Sequence, residues 1–215
     1  MTIPAYVQDI QAYHAKMVRT LKHKLQGAYM ADPDYFRVFQ AFLAAQNFHE
    51  PRFRKDNVTP EFLHPVQATL HLMTLPGLMD LKTSIGAMLI HDYPEDSGIS
   101  YAELVQQIGC DKIASAGYTL AKVRQGVKID KEAYFEFLAN CPIASICKGC
   151  DRVNNLGTMG VLTREKQLEQ AQETETYILP MLKKAQRKFL TQEAAYENLK
   201  LTLRNQVNFV RAQFT

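Results

Sequence analysis

The sequence lacks any apolar run approaching the roughly 20 residues of a membrane-spanning helix, which excludes that class of protein. Its first residues, MTIPAYVQDIQAYH, contain no apolar core of a signal peptide. Cysteine is scarce, and the four residues present are Cys110, Cys141, Cys147 and Cys150. Without a secretion signal we expect these thiols to be reduced, and we expect a soluble, cytoplasmic protein with no membrane partner.

A large excess of either charge is also missing, since 25 basic and 22 acidic residues give a formal net charge of +3. This balance excludes a polybasic nucleic-acid binder, so any affinity for anions must come from a local cluster. The most basic run, KKAQRKFL at 183–190, is more typical of the solvated face of a helix than of an RNA-binding surface. We therefore expect this tail to pack on the rest of the chain or on a second copy in a homo-oligomer.

Sustained strand alternation, internal repeats, low-complexity tracts and linker-like stretches are absent as well. Apolar residues instead recur at helical spacing, and 215 residues with 47% hydrophobic composition suffice for one sizeable core. The sequence predicts an all-α fold, a compact multi-helix bundle forming a single domain over 1–215. A basic loop interrupts it at 49–64, and Ser100 with Glu103 is typical of a capping box. The predicted helices cover about residues 5–30, 33–48, 65–75, 79–92, 111–123, 130–140, 142–156, 163–188 and 191–213.

The stretch IHDYPEDSG stands out because it packs charge directly after the apolar segment SIGAMLI. A carboxylate at the rim of the core, such as Asp92, needs a partner, which a histidine or a metal ion could provide. Pro94 tends to end the preceding helix, which puts Glu95 and Asp96 in a bend just beyond His91 and Asp92. Such carboxylates are typical of water-orienting groups beside a metal, although a solvated turn with helix-start charges explains the spacing equally well.

Two more candidate ligands lie elsewhere in the chain. His64 precedes Pro65 at a loop-to-helix junction, and Asp151 stands at the polar end of a short apolar run in ASICKGCDRVNN. Two imidazoles and two carboxylates suit a borderline-to-hard divalent ion such as Mn²⁺. Taken singly, a residue such as His64 is more often a surface or helix-start histidine, and one such as Asp151 is more often a salt-bridge partner, here for Arg152.

Together these motifs resemble the HD-domain phosphohydrolases, and among them the alarmone hydrolases of the RelA/SpoT type with their stand-alone small forms. The family pattern reads H-P-x-x-V/A, then L-x-H-D-x-x-E-D-T, then K-x-x-D-R-x-x-N-x-x-T. Here it appears as HPVQA, LIHDYPEDS and KGCDRVNNLGT. A later stretch, KQLEQAQETETYILPML, resembles the family's A-x-E-T-x-x-Y-x-x-P-L run, and the resemblance covers about residues 42–184.

The resemblance implies a stand-alone, Mn²⁺-dependent hydrolase without a synthetase domain, acting on a small-molecule nucleotide. It would remove the 3′-pyrophosphate from a guanosine or adenosine alarmone such as (p)ppGpp, with Glu95 and Asp96 as catalytic acidic pair. The implied metal ligands are His64, His91, Asp92 and Asp151. The implied substrate-binding side chains are Arg52, Arg54, Lys55, Lys148, Asn155 and Thr158.

Two alternatives remain open. An HD-type nucleotide phosphatase, such as a 5′-nucleotidase or an NADPH phosphatase, fits the metal ligands equally well, but the D-R-x-x-N-x-x-T segment and the acidic pair favour the alarmone branch. A non-catalytic nucleotide-binding HD module is disfavoured by the complete ligand set. The sequence also departs from the family pattern, because Asn154 stands where the family usually has a histidine.

The sequence Cys147-x-x-Cys150 has two interpretations. It can be half of a zinc site or a redox pair, with Cys141 as the nearest further ligand. Cys150 instead falls where the family has an alanine inside a buried helix, and buried free cysteine behaves as a small hydrophobe. We therefore predict that both cysteines are core residues.

Overall fold

The computed structural model describes residues 5–214, and helices dominate it, so the predicted all-α fold is confirmed. Most predicted helices are present, because apolar residues recur at regular helical spacing. Their ends are shifted, because the end of a helix depends on local capping residues. The helices are α1 (Ala5–Ala31), α2 (Tyr35–His49), α3 (Leu63–Leu72), α4 (Leu81–Leu89), α5 (Tyr93–Ser97), α6 (Tyr101–Ile108), α7 (Asp111–Leu120), α8 (Lys131–Ala139), α9 (Pro142–Thr158), α10 (Arg164–Glu173), α11 (Leu179–Lys188) and α12 (Glu193–Ala212).

One small sheet interrupts the helices between α7 and α8. Strands β1 (Val123–Arg124) and β2 (Val127–Lys128) pair antiparallel. Gln125 and Gly126 connect them with positive φ angles of 49° and 79°, as a tight hairpin turn requires. Two-residue strands are too short to produce an alternating pattern, which is why the sequence did not reveal them.

Helix α9 is the centre of the bundle, since it packs against α3, α4, α7, α8, α11 and α12. Pro142 occupies its first turn, where the missing N–H costs nothing. Cys147 and Cys150 of this helix are fully buried, and all four cysteines are free thiols. The prediction that this pair belongs to the core is confirmed, and burial raises the pKa of both thiols.

Helices α4 and α7 approach each other at two glycines. An added Cβ at Gly86 would lie 2.7 Å from the side chain of Ile113, and one at Gly117 would lie 2.7 Å from Ile90. Distances this short leave no room for a methyl group, so the crossing of α4 and α7 requires glycine at both positions. The crossing fixes the end of α4 against the core, directly before His91.

The predicted helix 79–92 is shorter than expected and is followed by a separate helix. Helix α4 starts after Asp80, whose side chain accepts a hydrogen bond from the backbone N–H of Thr83. The helix ends at Leu89. Pro94 then lies in the first turn of α5. The expectation that Glu95 and Asp96 lie in a bend is therefore wrong, because the proline starts a new helix there.

The predicted capping box is present, because Ser100 and Glu103 bond each other's backbone N–H groups at the start of α6. The predicted helix 163–188 is continuous but contains a π-helical segment, Thr174–Ile178, between α10 and α11. Helix α12 follows a 3₁₀ turn, Leu190–Gln192, and packs against α9 and α11, so the tail does pack on the bundle. Within residues 5–214 no helix combines the length and apolar character needed to cross a membrane.

Candidate metal centre

The four predicted metal ligands converge, although they come from three separate parts of the chain. His64 lies in the first turn of α3, His91 and Asp92 join α4 to α5, and Asp151 lies in α9. Nε2 of His64 lies 3.1 Å from Nε2 of His91 and 3.1 Å from Oδ1 of Asp151. Nε2 of His91 lies 3.2 Å from Oδ2 of Asp92. His64, His91 and Asp92 can offer one ligand atom each within 4.8 Å of one another, so the structure contains a possible His/Asp metal site.

The two rings present their Nε2 atoms to this cluster because their other nitrogens are already bonded. Nδ1 of His91 lies 2.8 Å from the carbonyl oxygen of Met88, and Nδ1 of His64 lies 2.6 Å from Oδ1 of Asn154. Both partners are acceptors, so each Nδ1 carries a hydrogen, and each Nε2 has a lone pair when its ring is neutral. Metal-binding histidines in proteins are held in this way.

Electrostatics in the cluster favour a positive charge at the point where the ligands meet. Burial opposes protonation of His91, but Asp92 and Asp151 outweigh it and raise the pKa of His91 to about 10. Burial also opposes ionisation of Asp151, yet Lys148, whose Nζ lies 2.6 Å from Oδ2, keeps the pKa of Asp151 well below its usual value. A proton or a divalent cation can supply the positive charge, and two imidazoles with two carboxylates fit a borderline-to-hard divalent ion.

A pocket of about 620 Å³ opens beside the cluster, a size typical of small-molecule sites. Several lining residues are buried and charged, including Lys148, Asp151 and Arg152. Other lining residues are apolar or aromatic and exposed, including Phe53 (50% exposed) and Tyr13 (46% exposed). The pocket therefore has a charged floor and a partly aromatic rim.

The structure brings most of the predicted substrate-binding residues to this pocket, with one exception. Arg52 packs its guanidinium over the ring of Phe48, 3.9 Å from the ring centroid, and faces Glu61 rather than lining the pocket. The predicted residues that line the pocket are Arg54, Lys55, Lys148, Asn155 and Thr158.

The loop that carries Arg54 and Lys55 is held by its own hydrogen bonds. Asp56 accepts from the backbone N–H groups of Val58 (2.9 Å) and Thr59 (2.8 Å) and from the Thr59 hydroxyl (2.6 Å). The backbone N–H of Arg54 donates to the carbonyl of Thr59 at 2.8 Å. Such a turn holds the backbone of the loop in one conformation beside the pocket.

The predicted acidic pair lies at the pocket in two different environments. Oε2 of Glu95 accepts from the backbone N–H of Lys122 at 2.7 Å, which fixes the carboxylate. Partial desolvation of the carboxylate and the negative charges of Asp92, Glu61 and Glu95 raise the pKa of Asp96 to about 6. Asp96 can therefore take up or release a proton near neutral pH, whereas Glu95 is anchored.

The pocket residues that sequence reasoning missed include two charged ones, Lys122 and Glu173. Glu173 pairs with Arg152 and lies 2.9 Å from Nζ of Lys131. Burial opposes its ionisation, but Arg152, Lys131 and Lys122 lower the pKa of Glu173 to about 2. Glu173 belongs to the A-x-E-T run and could have been singled out, whereas no local signal marks Lys122. Arg152 does hold a carboxylate, as one interpretation expected, but its partner is Glu173 and not Asp151.

Comparison with known proteins gives distant relatives. No family model matches the chain. It is 31% identical over 150 residues to a probable GTP pyrophosphokinase of Mycobacterium leprae (strain TN), covering 67% of this chain and 18% of that protein. It is 28% identical over 167 residues to the bifunctional (p)ppGpp synthase/hydrolase SpoT of Escherichia coli (strain K12), covering 71% of this chain and 22% of that protein.

A third relative is the guanosine-3′,5′-bis(diphosphate) 3′-pyrophosphohydrolase of Aquifex aeolicus (strain VF5), 28% identical over 148 residues, covering 66% of this chain and 20% of that protein. The chain thus spans about a fifth of the length of the curated relatives it matches. These similarities establish distant homology to the (p)ppGpp synthase and hydrolase proteins of the SpoT/RelA type.

Proposed function

We propose that the chain is an HD-type hydrolase domain over residues 1–215 that removes the 3′-pyrophosphate from a guanosine or adenosine alarmone such as (p)ppGpp, using Mn²⁺. The observation that carries this proposal is the convergence of His64, His91, Asp92 and Asp151 beside an acidic pair at a pocket with basic walls. The relatives include proteins named for synthesis and for hydrolysis. A ligand cluster beside carboxylates that can manage the proton of water supports hydrolysis.

The four ligands would hold Mn²⁺ through two imidazoles and two carboxylates. When bound, this ion supplies Lewis-acid polarisation of a phosphoryl group and makes a bound water more acidic. Lys148 keeps Asp151 ionised and therefore ready to act as a ligand. The hydrogen bond from Nδ1 of His91 to the Met88 carbonyl and the bond from Nδ1 of His64 to the Asn154 side chain would leave both Nε2 atoms available as ligands.

The two carboxylates of the acidic pair would have different roles toward the attacking water. Glu95, fixed by the backbone N–H of Lys122, orients the water as a hydrogen-bond acceptor. Asp96, with its pKa raised to about 6, accepts the proton or passes it toward the leaving group. A general base works best with a pKa near the operating pH, and Asp96 meets that condition better than an ordinary aspartate.

The remaining walls of the pocket suit a nucleotide. Lys122, Lys148 and Arg54 bring positive charge that can neutralise a polyphosphate. The exposed rings of Phe53 and Tyr13 at the rim offer flat apolar surface, on which a nucleobase can stack. A ligand with a multiply charged end and an aromatic end fits both regions at once.

The test is product analysis with the purified protein and Mn²⁺. Guanosine 3′,5′-bis(diphosphate) would be incubated beside its adenosine analogue and a panel of 5′-nucleotides and NADPH, with and without a chelator. We expect pyrophosphate from an alarmone and no product in the chelator arm. The ratio of the rates with the two alarmones determines which base is preferred.

Two outcomes contradict the proposal. Orthophosphate from a simple nucleotide or from NADPH, with both alarmones intact, would identify a general HD-type phosphatase. Tight binding of a nucleotide with no turnover, measured with Mn²⁺ present, would identify a non-catalytic nucleotide-binding module.

A further inference from the structure

Three side chains link the candidate metal ligand His64 to the first helix of the protein. Oδ1 of Asn154 lies 2.6 Å from Nδ1 of His64. Nδ2 of the same amide donates to Oε1 of Gln67 at 3.1 Å. Nε2 of Gln67 then donates to the hydroxyl of Tyr13 at 3.4 Å. The chain of hydrogen bonds therefore crosses from α9 to α3 and on to α1.

The directions of the two bonds made by Asn154 follow from the placement of its amide, with Oδ1 facing His64 and Nδ2 facing Gln67. An amide oxygen only accepts, so Nδ1 of His64 must donate to Asn154, and the lone pair of His64 stays on Nε2. An asparagine amide can rotate by half a turn and present its NH₂ group instead. The bond from Nδ2 of Asn154 to Gln67 opposes that rotation, because a rotated amide would place its oxygen against the oxygen of Gln67.

We propose that Asn154 is a positioning residue that fixes the tautomer and ring orientation of His64, and that Gln67 holds Asn154 in the required orientation. The inference rests on the metal site of the proposed function but not on its substrate. Helix α1, which lies outside the part of the chain resembling the alarmone hydrolases, supplies the last partner through Tyr13. Asn154 is also a position at which the sequence departs from the family pattern.

Loss of the acceptor on Asn154 should weaken metal binding, because the tautomer of His64 would no longer be fixed. Without an acceptor at Nδ1, the hydrogen of neutral His64 can move to Nε2, where it would point at His91 and Asp151 and block the ligand position. Loss of such outer partners typically weakens metal binding about 10- to 100-fold. The ligand itself is unchanged, so the loss should be partial.

The experiment measures Mn²⁺ affinity of the full-length, metal-stripped protein by calorimetry for a set of variants. Asn154→Leu removes the acceptor, and we expect about 10- to 100-fold weaker binding. Asn154→Asp keeps an acceptor for Nδ1, and we expect affinity within a few-fold of wild type. Gln67→Leu leaves the bond to His64 but frees the amide to rotate, and we expect an intermediate loss. Asn205→Leu, on the exposed face of α12, is the matched control.

The contrast between Leu and Asp at position 154 decides the inference. Equal Mn²⁺ affinity in wild type and Asn154→Leu would overturn it. The inference would also be overturned if Asn154→Leu and Asn154→Asp lost Mn²⁺ affinity equally and if both lowered the melting temperature of the metal-free protein by the same amount. Asn154 would then have a packing role. Wild-type protein that binds Mn²⁺ but leaves alarmones intact would overturn the proposed substrate alone. Wild-type protein without Mn²⁺ affinity would overturn the inference together with the metal site.

Discussion

Nε2 of His64 lies 3.1 Å from Nε2 of His91, although the two residues are 27 positions apart, one in α3 and the other in the junction between α4 and α5. Because each Nδ1 donates its hydrogen elsewhere, two nitrogen lone pairs would face each other at this distance if both rings were neutral. Such a pair is favourable only if a positive charge lies between or beside the nitrogens. The carboxylates of Asp92 and Asp151 make a positive charge at this point still more favourable.

The first prediction concerns the two aspartates of the cluster. Asp92→Ala and Asp151→Asn should each abolish Mn²⁺ binding and turnover, with the helical circular dichroism spectrum retained. They should differ in stability. Asp92 has a side chain that is 39% exposed, whereas Asp151 is buried against Lys148, so Asp151→Asn should lower the free energy of unfolding by about 3 kcal/mol and Asp92→Ala should lower it by less. Turnover in either variant would contradict the assignment of these ligands.

The second prediction separates catalysis from metal binding at the acidic pair. Glu95→Gln keeps the shape of the side chain and an oxygen for the N–H of Lys122, but it removes the negative charge. We expect turnover to fall about 10²- to 10⁴-fold while Mn²⁺ affinity stays within a few-fold of wild type. Glu169→Gln, exposed on α10, is the control and should leave both quantities unchanged. A Glu95→Gln variant with normal turnover would remove Glu95 from the mechanism.

The third prediction uses two neighbouring arginines as a matched pair. Arg54 lines the pocket, whereas Arg52 packs on Phe48 outside it. Arg54→Ala should raise the KM for the alarmone about 10- to 100-fold, because a charge-assisted contact to phosphate contributes about 1.5–3 kcal/mol. Arg52→Ala should leave KM within about twofold, as expected for a surface charge. Steady-state kinetics would reveal the opposite order if the loop places Arg52 on the substrate.

The fourth prediction is a pH dependence of stability at Glu173. Its pKa is lowered to about 2, below the usual value of about 4.3, so its stabilising effect is complete above the usual value. That contribution is lost as the pH falls through the folded-state value. Glu173→Gln should therefore cost about 2–3 kcal/mol at pH 7, where Arg152 loses its partner, and progressively less from pH 4 downwards. Urea unfolding at pH 7, 5 and 3 measures this, with Glu169→Gln as the control.

A gap between wild type and Glu173→Gln that stays constant down to pH 3 would show that charge is not the origin of the effect. In that case the packing of Glu173 against Arg152 would explain the loss.

Local features of the chain were predictable from the sequence. Most helices follow from apolar spacing, and the capping box of Ser100 and Glu103 lies within four residues. The candidate ligands could be chosen from the short motifs HPVQA, LIHDYPEDS and KGCDRVNNLGT, and their convergence then follows from packing of α3, α4 and α9. What is local in the chain was therefore accessible without the structure.

Features that depend on distant parts of the chain were not predictable. Lys122 reaches the pocket because α7 ends beside α5, and no motif surrounds it. Arg52 packs on Phe48 while Arg54 lines the pocket, and contacts between such distant elements leave no periodic signal in the sequence. The break between α4 and α5 was misjudged because a proline can end one helix or begin another.

The origin of the four ligands in α3, in the α4–α5 junction and in α9 has a consequence for heat resistance. An ion held by all four would tie together segments that are far apart in the chain and that separate when it unfolds. Each tenfold rise of free Mn²⁺ above its dissociation constant would then add about 1.4 kcal/mol to the folded state. The same cation that permits turnover would act as a removable cross-link, so melting temperature would report metal supply.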